Sequence, residues 1–345
     1  MSFDIQVVHS VSEIDPASWN RLSAGRPFQS HRWYEFGERV MADCLPVYII
    51  LSQNGQAVTR GTFWLVRNEP LPVPVWLGRL ISPVFRRWPL LICRSPISNS
   101  SGLILPDPPL RDDALEAISV AALDEAFRLR ASIVVFDYLN QEAFEAAKWP
   151  AEYVKQVVGD PGSMLEIVWL DFESYLSSLS PKTRKNYRRY FREAGRRDIK
   201  IVHHSSTAHL EEARTLIQNV ERRYGNLFNP WFVEMVKYFS MVGGVMLTVE
   251  TEGKVVGCEL ILGDGDEQLV TALGLDYAEP DIYFLLNFAD IRYAIESGTR
   301  LLHWGSGAFD VKRRLGFQIE RNDYVVFSGV GAVTKLISRL AGRLL

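Results

Sequence analysis

The pattern of hydrophobic and polar positions gives both halves of the chain the same order of elements. In the first half, apolar runs over 46–51 and 56–66 flank Asn54-Gly55, a dipeptide typical of a tight hairpin turn. Apolar residues then recur at helical spacing over 111–130, and a buried-strand pattern covers 132–137. The first half is therefore predicted to contain a hairpin followed by a strand–helix–strand crossover.

The second half repeats this order. Three short apolar runs separated by glycine-containing turns predict a three-stranded meander over 244–273. Apolar residues at helical spacing predict a helix over 283–297, and Leu301–Trp304 is predicted to be the strand that follows. A meander joined to one right-handed crossover gives a mixed sheet with packed helices. We therefore predict an α/β fold, in the α+β sense of mixed sheets, present in two copies.

Length and composition agree with two domains. The chain has 345 residues, a net charge of −3 and 47% hydrophobic residues, as expected of a globular protein with about two cores. We place the domains at 1–165 and 201–345, joined by a linking strand and a basic helix over 166–200. The three cysteines are far apart, no apolar run is long enough to span a bilayer, and the first residues lack a signal-peptide pattern. A cytoplasmic protein is expected.

The densest positive charge lies in the linking segment. Nine cations occupy the nineteen residues 182–200, including Lys182 and Arg184, and Ser180-Pro181 is a typical helix start. The basic face is either a solvated helix surface or a binding surface for a phosphate-bearing substrate, nucleic acid or anionic lipid.

A second unusual segment covers 70–109. It is rich in proline, tryptophan and arginine and has no acidic residue between Glu69 and Asp107. The segment either caps the first core or forms a flap that lines substrate or touches an anionic membrane. In the second case the protein would be peripheral to the inner face of the membrane.

Several common sites are excluded by their motifs. The chain has no nucleophile elbow, no phosphate-binding loop and no dinucleotide fingerprint. Its six histidines never form an H-x-x-x-H pair with a glutamate on a helix, and His203-His204 are expected to point to opposite faces of a strand. We therefore expect no metal site.

The segment 301–317, LLHWGSGAFDVKRRLGF, has the strongest chemical signal. Gly305 and Gly307 allow a tight turn and close ligand approach after Trp304. Asp310 is then expected to cap a short helix carrying Lys312. Because three consecutive cations cannot share one helix face, at least one should face the sheet, where it could stabilise an oxyanion or bind an anionic group.

These features together resemble the GNAT acyltransferase superfamily, and within it the FemAB-like and BioF2-like (CelD-like) proteins with two GNAT domains. The resemblance covers some 300 residues and rests on the order of several short motifs. These are Asp15-Pro-Ala-Ser-Trp19, Pro27-Phe-Gln-Ser-His31, the segments 95–102 and 180–189, Tyr283 with Asn287, and Trp304-Gly-x-Gly-x-x-x-x-Lys312-x-x-x-Gly316-Phe317.

The resemblance implies an acyltransferase that moves an acyl group, with acyl-CoA as co-substrate and no permanent cofactor. The acceptor would be an amine of a small molecule, a sugar or a cell-envelope precursor, as in polysaccharide biosynthesis. The donor would enter at the junction that begins at Leu273 and Gly274. The usual phosphate cradle is missing there, and Asp276, Glu279 and Asp281 would repel phosphate. FemAB-like relatives that use aminoacyl-tRNA also lack a strong cradle. Aminoacyl-tRNA-dependent transfer and a non-catalytic pair of domains that binds an anionic or lipid-linked ligand are therefore kept as alternatives.

Acyl transfer needs a base and an oxyanion site, which directs attention to particular residues. Glu259 is the first candidate base, because a charged residue inside an apolar strand is poorly placed unless it is functional or paired; the alternative is an edge-strand glutamate facing water. Lys312 is the second catalytic candidate. Weaker candidates for proton handling are Tyr224, Tyr283 and His303. Arg222 and Arg223 either contact an acceptor carboxylate or complement a helix dipole.

Overall fold

A computed structural model of the chain describes residues 3–69, 83–145, 148–331 and 334–335. It separates into two compact units. In the described ranges, unit 1 extends to Pro161 and resumes at Arg321, whereas unit 2 spans Gly162–Glu320.

Unit 1 is built on a mixed sheet in the order β1-β2-β3-β4-β6-β15-β7, with the short β5 paired to β3. The predicted hairpin is confirmed: Asn54 and Gly55 connect β2 to β3 with φ of 51° and 74°. The predicted crossover is also confirmed, since β4 and β6 run parallel and a long helix connects them. The strands are β1 (Asp4–Val8), β2 (Leu45–Gln53), β3 (Gln56–Val66), β4 (Leu90–Cys93), β5 (Leu103–Ile104), β6 (Ile133–Leu139), β7 (Val154–Val157) and β15 (Tyr324–Gly329).

The crossover helix of unit 1 buries a row of small residues on the sheet. Ala114, Ile118 and Ala122 are fully buried at helical spacing and join the core formed by β2, β3, β4 and β6. The helices of unit 1 include α1 (Pro16–Ser23), α2 (His31–Val40), α3 (Arg111–Arg128) and α4 (Gln141–Glu145), and residues 83–87 are also helical.

Unit 2 has a seven-stranded mixed sheet in the order β14-β8-β13-β12-β11-β10-β9. The predicted meander is confirmed as β10-β11-β12, and β12 runs parallel to β13 after the predicted crossover helix. The strands are β8 (Gly162–Glu166), β9 (Lys200–His204), β10 (Val245–Thr251), β11 (Lys254–Asp264), β12 (Glu267–Leu275), β13 (Leu301–Trp304) and β14 (Gln318–Glu320). The helices are α5 (Phe172–Ser178), α6 (Pro181–Arg196), α7 (Leu210–Tyr224), α8 (Phe232–Tyr238), α9 (Ile282–Glu296) and α10 (Phe309–Arg314).

Two glycines set how closely helices approach the two faces of this sheet. A Cβ at Gly257 in β11 would lie 2.3 Å from Ile282 of α9. A Cβ at Gly274 in β12 would lie 2.8 Å from Leu216 of α7. The sheet is thus covered by α9 on one face and α7 on the other, and α6 packs on α9 through stacked Tyr190 and Phe284.

The division into units differs from the predicted domain boundaries. The predicted linker 166–200 lies inside unit 2, where α5 and α6 contribute to the same core as α9. The C-terminal segment from Arg321 belongs to unit 1, because β15 pairs between β6 and β7. Each sheet is therefore completed by a strand that local sequence patterns do not assign to it.

The segment 70–109 is only partly a surface feature. Residues 70–82 lie outside the described residues. Leu90–Cys93 form the fully buried β4, so the flap interpretation is wrong for this part, whose apolar residues are core residues. Val84 and Trp88 are 46% and 51% exposed beside the exposed Arg86 and Arg87, and membrane contact there stays a prediction. In the described ranges, no helix combines the length and apolarity needed to cross a bilayer.

Candidate active site in unit 2

Two buried carboxyl groups meet between β11 and α9. Glu259 is 4% exposed on β11, which is paired on both sides, so the alternative of an edge-strand glutamate facing water is wrong. Asp290 of α9 is fully buried, and the close approach of α9 at Gly257 brings it to Glu259. The main chain of a central strand and a buried helix thus fixes both carboxyl groups.

Burial dominates the electrostatics of this pair. It raises the pKa of Asp290 to about 7, although the contact with Glu259 acts in the opposite direction. Burial also raises the pKa of Glu259 well above its ordinary value, and Asp290 raises it further, while Lys312 lowers it. Two carboxyl groups in contact in a dry site cannot both ionise freely, so the pair holds a proton near neutral pH.

Lys312 is buried beside the end of β13. Its side chain is on α10 and is 6% exposed, which confirms that one of the three consecutive cations faces the sheet. Its Nζ donates to the carbonyl oxygens of Gly305 and, at 3.2 Å, of Ser306. The expected cap is wrong: Ala308, in the left-handed conformation, occupies the N-cap position, and Asp310 lies in the first turn.

Glu259, Asp290 and Lys312 form a cluster, and a stripe of polar residues on α9 extends it. Tyr283, Asn287 and Asp290 recur at i, i+4 and i+7 on a helix whose other inward residues are apolar. Burial raises the pKa of the Tyr283 hydroxyl, whereas the Asn287 side chain beside it acts in the opposite direction. The stripe therefore places a phenol, an amide and a carboxyl group on one line.

Five polar atoms of this cluster are buried and have no hydrogen-bond partner among the described residues when both carboxyl groups are ionised, whereas a proton held by the pair joins Glu259 to Asp290. They are Glu259 Oε2, both carboxyl oxygens of Asp290, Asn287 Nδ2 and Trp304 Nε1. Each such atom costs free energy on the order of 1–3 kcal/mol when no ligand satisfies it. The cluster thus offers both donors and acceptors to a bound molecule.

A cavity of about 250 Å³ opens at Lys312. Its walls come from the ends of β8, β14 and α10, with Phe309 and Phe317 as aromatic lining and Ser163 as a polar one. Phe317 stacks on Trp304 at 4.0 Å between ring centroids. Ligand pockets usually measure about 300–1,000 Å³, so this cavity suits one end of a substrate rather than a whole cofactor.

His303 is held in a separate ionic arrangement. Its Nδ1 lies 3.0 Å from Glu320 and its Nε2 2.8 Å from Glu267. Burial alone would lower its pKa, but the two carboxylates outweigh it and raise the pKa to about 9. A protonated imidazole bonded at both nitrogens is a structural cation, and strand alternation sends it to the face opposite Trp304.

Asp290 is the residue that sequence reasoning missed. It lies seven positions after Tyr283 and three after Asn287, within a helix of mostly apolar residues. An acidic residue at such a position has the same signal that singled out Glu259. The helical period applied to polar rather than apolar residues would have found it.

Comparison with known proteins identifies this fold. A family profile described as "Acetyltransferase (GNAT) domain" matches residues 181–313, a range that contains Glu259, Asp290 and Lys312. FemX has a similar structure, with a TM-score of 0.63 at 10% identity over 98% of this chain and 100% of that chain. The chain has a tandem GNAT fold.

Two further solved structures agree with this assignment. The tandem GNAT protein from the clavulanic acid biosynthesis pathway gives a TM-score of 0.59 at 11% identity, covering 95% of this chain and 99% of that chain. L-PGS from Bacillus licheniformis gives a TM-score of 0.53 at 14% identity, covering 95% of this chain and 98% of that chain. No curated protein sequence matches the chain. The predicted tandem GNAT architecture is confirmed, and the structural likenesses concern the fold.

In unit 2, β12 continues beyond β13, the strand beside it. β13 pairs with Glu267–Val270 only, whereas β12 extends to Leu275. Opposite Glu259 the pairing with β11 shifts register, and Ala272 has a φ of 60°. Leu273 follows this irregularity at the open side of β12. Gly274, also predicted to bind the donor, is required by the approach of α7.

Other predicted binding residues lie outside the buried cluster. Arg222, Arg223 and Tyr224 are exposed at the C-terminal end of α7, and Arg223 lies 4.2 Å from the ring centre of Tyr277. Gly307 has a φ of 80°, which explains the glycine by backbone conformation.

The cations of the basic helix α6 in unit 2 differ in whether they bond to the protein or face solvent. Arg184 donates to the carbonyl oxygens of Ser177 and Leu179, so it fixes the end of α5 rather than a substrate. Lys182 is exposed at the start of α6. Spacing along α6 places it on one face with four further exposed cations, namely Lys185, Arg189, Arg192 and Arg196.

Proposed function

We propose that the chain is an N-acyltransferase whose reaction centre is the cluster of Glu259, Asp290 and Lys312 in unit 2. The observation that carries the proposal is the buried carboxyl pair, whose two members contact each other beside a buried cation and have raised pKa values. Two carboxyl groups in contact in the interior are costly to the fold, and apolar residues in their place would avoid that cost. Perturbed carboxyl groups of this kind are typical of sites that move protons.

In the proposed reaction, an amine nitrogen attacks the carbonyl carbon of an acyl thioester or ester. The ionised member of the pair takes a proton from the attacking nitrogen, and the new carbon–nitrogen bond leaves negative charge on the carbonyl oxygen. When the carbon–sulfur or carbon–oxygen bond breaks, a proton held by the pair passes to the leaving group. A pair that titrates near neutral pH suits both transfers.

Lys312 supplies positive charge to this centre. Its Nζ is fixed by two backbone carbonyls where β13 ends, so the ammonium group needs no rearrangement to act on an oxyanion. Asn287 Nδ2 and Trp304 Nε1 are the buried donors of the same cluster that lack partners among described residues. Either of them could donate a hydrogen bond to the carbonyl oxygen of the acyl donor or to a substituent of the attacking amine.

Acyl-CoA is the donor that we favour. The open side of β12 leads to the loop before α9, and a helix N-terminus favours phosphate groups. Two of the three acidic residues in this loop are paired: Glu279 with Arg197, and Asp281 with Arg189 at 4.0 Å. The loop is thus less repulsive to a pyrophosphate than its sequence indicates.

Aminoacyl-tRNA is the second candidate donor, and the exposed basic face of α6 favours it. Five cations along one helix face would pair with backbone phosphates. The acceptor in either case is an amine of a small molecule, a sugar or a cell-envelope precursor.

The test measures release of free thiol from acetyl-CoA and longer acyl-CoAs in the presence of a panel of amino acids and amino sugars. Glu259→Gln is expected to lower turnover about 10²–10⁴-fold, the usual contribution of a general base. Glu211→Gln, at an exposed position of α7, serves as the matched control and should leave turnover unchanged.

Thermal stabilisation separates the remaining possibilities, because a ligand that binds the native state raises the melting temperature. Stabilisation by a charged tRNA alone would replace acyl-CoA by aminoacyl-tRNA as donor. Stabilisation by an acyl-CoA without thiol release for any amine would favour a binding protein. Equal turnover of Glu259→Gln and wild type would remove the carboxyl pair from the mechanism.

A further inference from the structure

A second cluster of chemically reactive side chains lies in unit 2 on elements that the acyltransfer cluster does not use. His204, His209 and Glu250 each direct one ligand atom to a common point, and these atoms all lie within 4.8 Å of one another. The carboxylate Oε1 of Glu250 is 3.7 Å from His204 Nε2 and 3.8 Å from His209 Nε2. The three side chains are 19–35% exposed, so an ion can reach them from solvent.

The main chain brings these residues together from three elements. His204 is the last residue of β9, and Glu250 lies on the neighbouring strand β10. His209 stands immediately before α7 with a φ of 48°, a left-handed conformation that is unfavourable for histidine and places its ring 5.3 Å from that of His204. Thr207 donates to the carbonyl oxygen of Val236 and fixes the loop between them.

Neighbouring groups are placed to orient the three side chains. The Thr248 hydroxyl donates to Glu250 Oε1 at 2.7 Å. It also lies 2.9 Å from His204 Nε2, a contact that a metal ion on this nitrogen would replace. The carboxylate of Glu212 is 3.6 Å from His209 Nδ1, the nitrogen that points away from the cluster. A carboxylate on the second nitrogen of an imidazole is the usual support of a metal-binding histidine.

We propose that His204, His209 and Glu250 form a binding site for a divalent transition metal ion, with Zn²⁺ the best match. Two imidazoles and one carboxylate are a ligand set that Zn²⁺ takes at about 2.0–2.2 Å, and three protein ligands leave a fourth position for water. Modest movements of the three side chains bring their ligand atoms to that distance. The sequence predicted no metal site, because these ligands come from two strands and a loop and have no helical spacing.

A metal ion here would fasten the loop between β9 and α7 to β10. α7 is the helix that packs on Gly274 of β12, so the ion would stabilise the face of the sheet opposite to α9. The ligands of this site lie on β9, β10 and the loop before α7, whereas Glu259, Asp290 and Lys312 lie on β11, α9 and α10. Its occupancy is therefore independent of the proposed acyl transfer.

The experiment is a calorimetric titration of the metal-free full chain, without a histidine tag, with ZnCl₂, followed by a Co²⁺ titration monitored by visible absorption. Wild type should bind one Zn²⁺ per chain, and Co²⁺ should give the absorption of a low-symmetry site with nitrogen ligands. His209→Asn keeps a residue that tolerates the left-handed conformation and should weaken binding more than about tenfold, as should Glu250→Gln.

His203→Gln is the matched control. His203 is adjacent in sequence, but it contacts the ring of Tyr293 on the other face of the sheet. This variant should bind Zn²⁺ as wild type does, and Zn²⁺ should raise the melting temperature of both. Absence of Zn²⁺ binding to wild type, or equal affinity for wild type, His209→Asn and Glu250→Gln, would overturn the proposal.

Discussion

The two units use the same crossover but treat buried charge in opposite ways. In unit 1, Arg94 directly follows β4 and lies 2.6 Å from Glu69 and 3.4 Å from Asp137, so a buried cation stands between two carboxylates. In unit 2, the two carboxyl groups of Glu259 and Asp290 contact each other. Both clusters contain buried polar atoms without a partner among the described residues, Arg94 Nε and Glu69 Oε2 in unit 1 included, so the difference lies in the charges. Opposite charges offset one another in unit 1, whereas two groups of like charge in contact destabilise unit 2 unless they hold a proton.

The largest effect should come from breaking the paired cluster of unit 1. Arg94→Met leaves the carboxylates of Glu69 and Asp137 without their cation, and burial already raises the pKa of Glu69. The free energy of unfolding should fall by about 3–5 kcal/mol, the cost of an uncompensated buried charge. Urea denaturation followed by tryptophan fluorescence measures this loss.

Arg128→Met provides the comparison for that measurement. Arg128 is 59% exposed, so solvent screens its pairing with Glu125, which also has His9 at 3.5 Å, and removal of Arg128 should have a smaller effect. Equal losses for the two variants would show that Arg94 has no special role in unit 1.

The opposite outcome is expected for the carboxyl pair of unit 2. The pKa of Asp290 is about 7 in the folded protein and 3.8 in its ordinary state. The folded state therefore retains a proton that the unfolded state releases, and stability falls as pH rises from about 4 to about 7. Asp290→Asn removes this loss, so its stability relative to wild type should improve by about 2–3 kcal/mol between pH 5 and pH 8.

Thermal unfolding of both proteins across this pH range measures the difference, and turnover should fall in the same variant. A constant stability difference from pH 5 to pH 8 would mean that Asp290 is ionised throughout, which would contradict the shared proton.

Local sequence patterns predicted the parts of the fold that local interactions determine. The turn at Asn54-Gly55 and the helix α9 follow from backbone preference and apolar period, and both are present. β8 and β15 could not be assigned, because each pairs with strands more than a hundred residues away or in the opposite half of the chain. Such pairing depends on the assembled sheet rather than on any local period.

The site shows the same division. Glu259 and Lys312 stood out because a charge interrupted an apolar strand or a short helix carried too many cations for one face. The role of His303 could not be predicted, since Glu267 and Glu320, which hold it, meet it only through sheet pairing. Asp290 became visible once the approach of α9 to Gly257 was known.

His303 lies in unit 2, as the carboxyl pair does, but it is paired with Glu267 and Glu320. Its substitution therefore tests whether a paired buried charge in unit 2 is structural. The imidazole pKa of about 9 exceeds the unfolded value of 6.5. The stability that it contributes is therefore complete below pH 6.5 and is lost as pH rises through 9. His303→Gln should lower the free energy of unfolding by about 2 kcal/mol at pH 6, and this effect should shrink between pH 6.5 and pH 9 and be nearly absent above pH 9.

Turnover gives the second readout for this variant. Below the temperature at which it unfolds, His303→Gln should retain acyl transfer, because the imidazole lies on the other face of β13 from Trp304. Loss of turnover in a folded His303→Gln protein would return His303 to the catalytic group.

The smallest effect is expected for Lys312, the cation that lowers the pKa of Glu259. Lys312→Ala should lower turnover at least about tenfold, or roughly 1.4 kcal/mol of barrier, while the protein stays folded. Removing the ammonium group also raises the pKa of Glu259, so the acidic limb of the pH–rate profile should move to higher pH. Arg314→Ala is the control, since Arg314 is exposed on the same helix and is not among the residues that line the cavity. A tenfold loss of turnover with an unchanged pH–rate profile would mean that Lys312 binds substrate without acting on the carboxyl pair. Unchanged turnover would remove Lys312 from the site and leave the carboxyl pair of unit 2 without its cation.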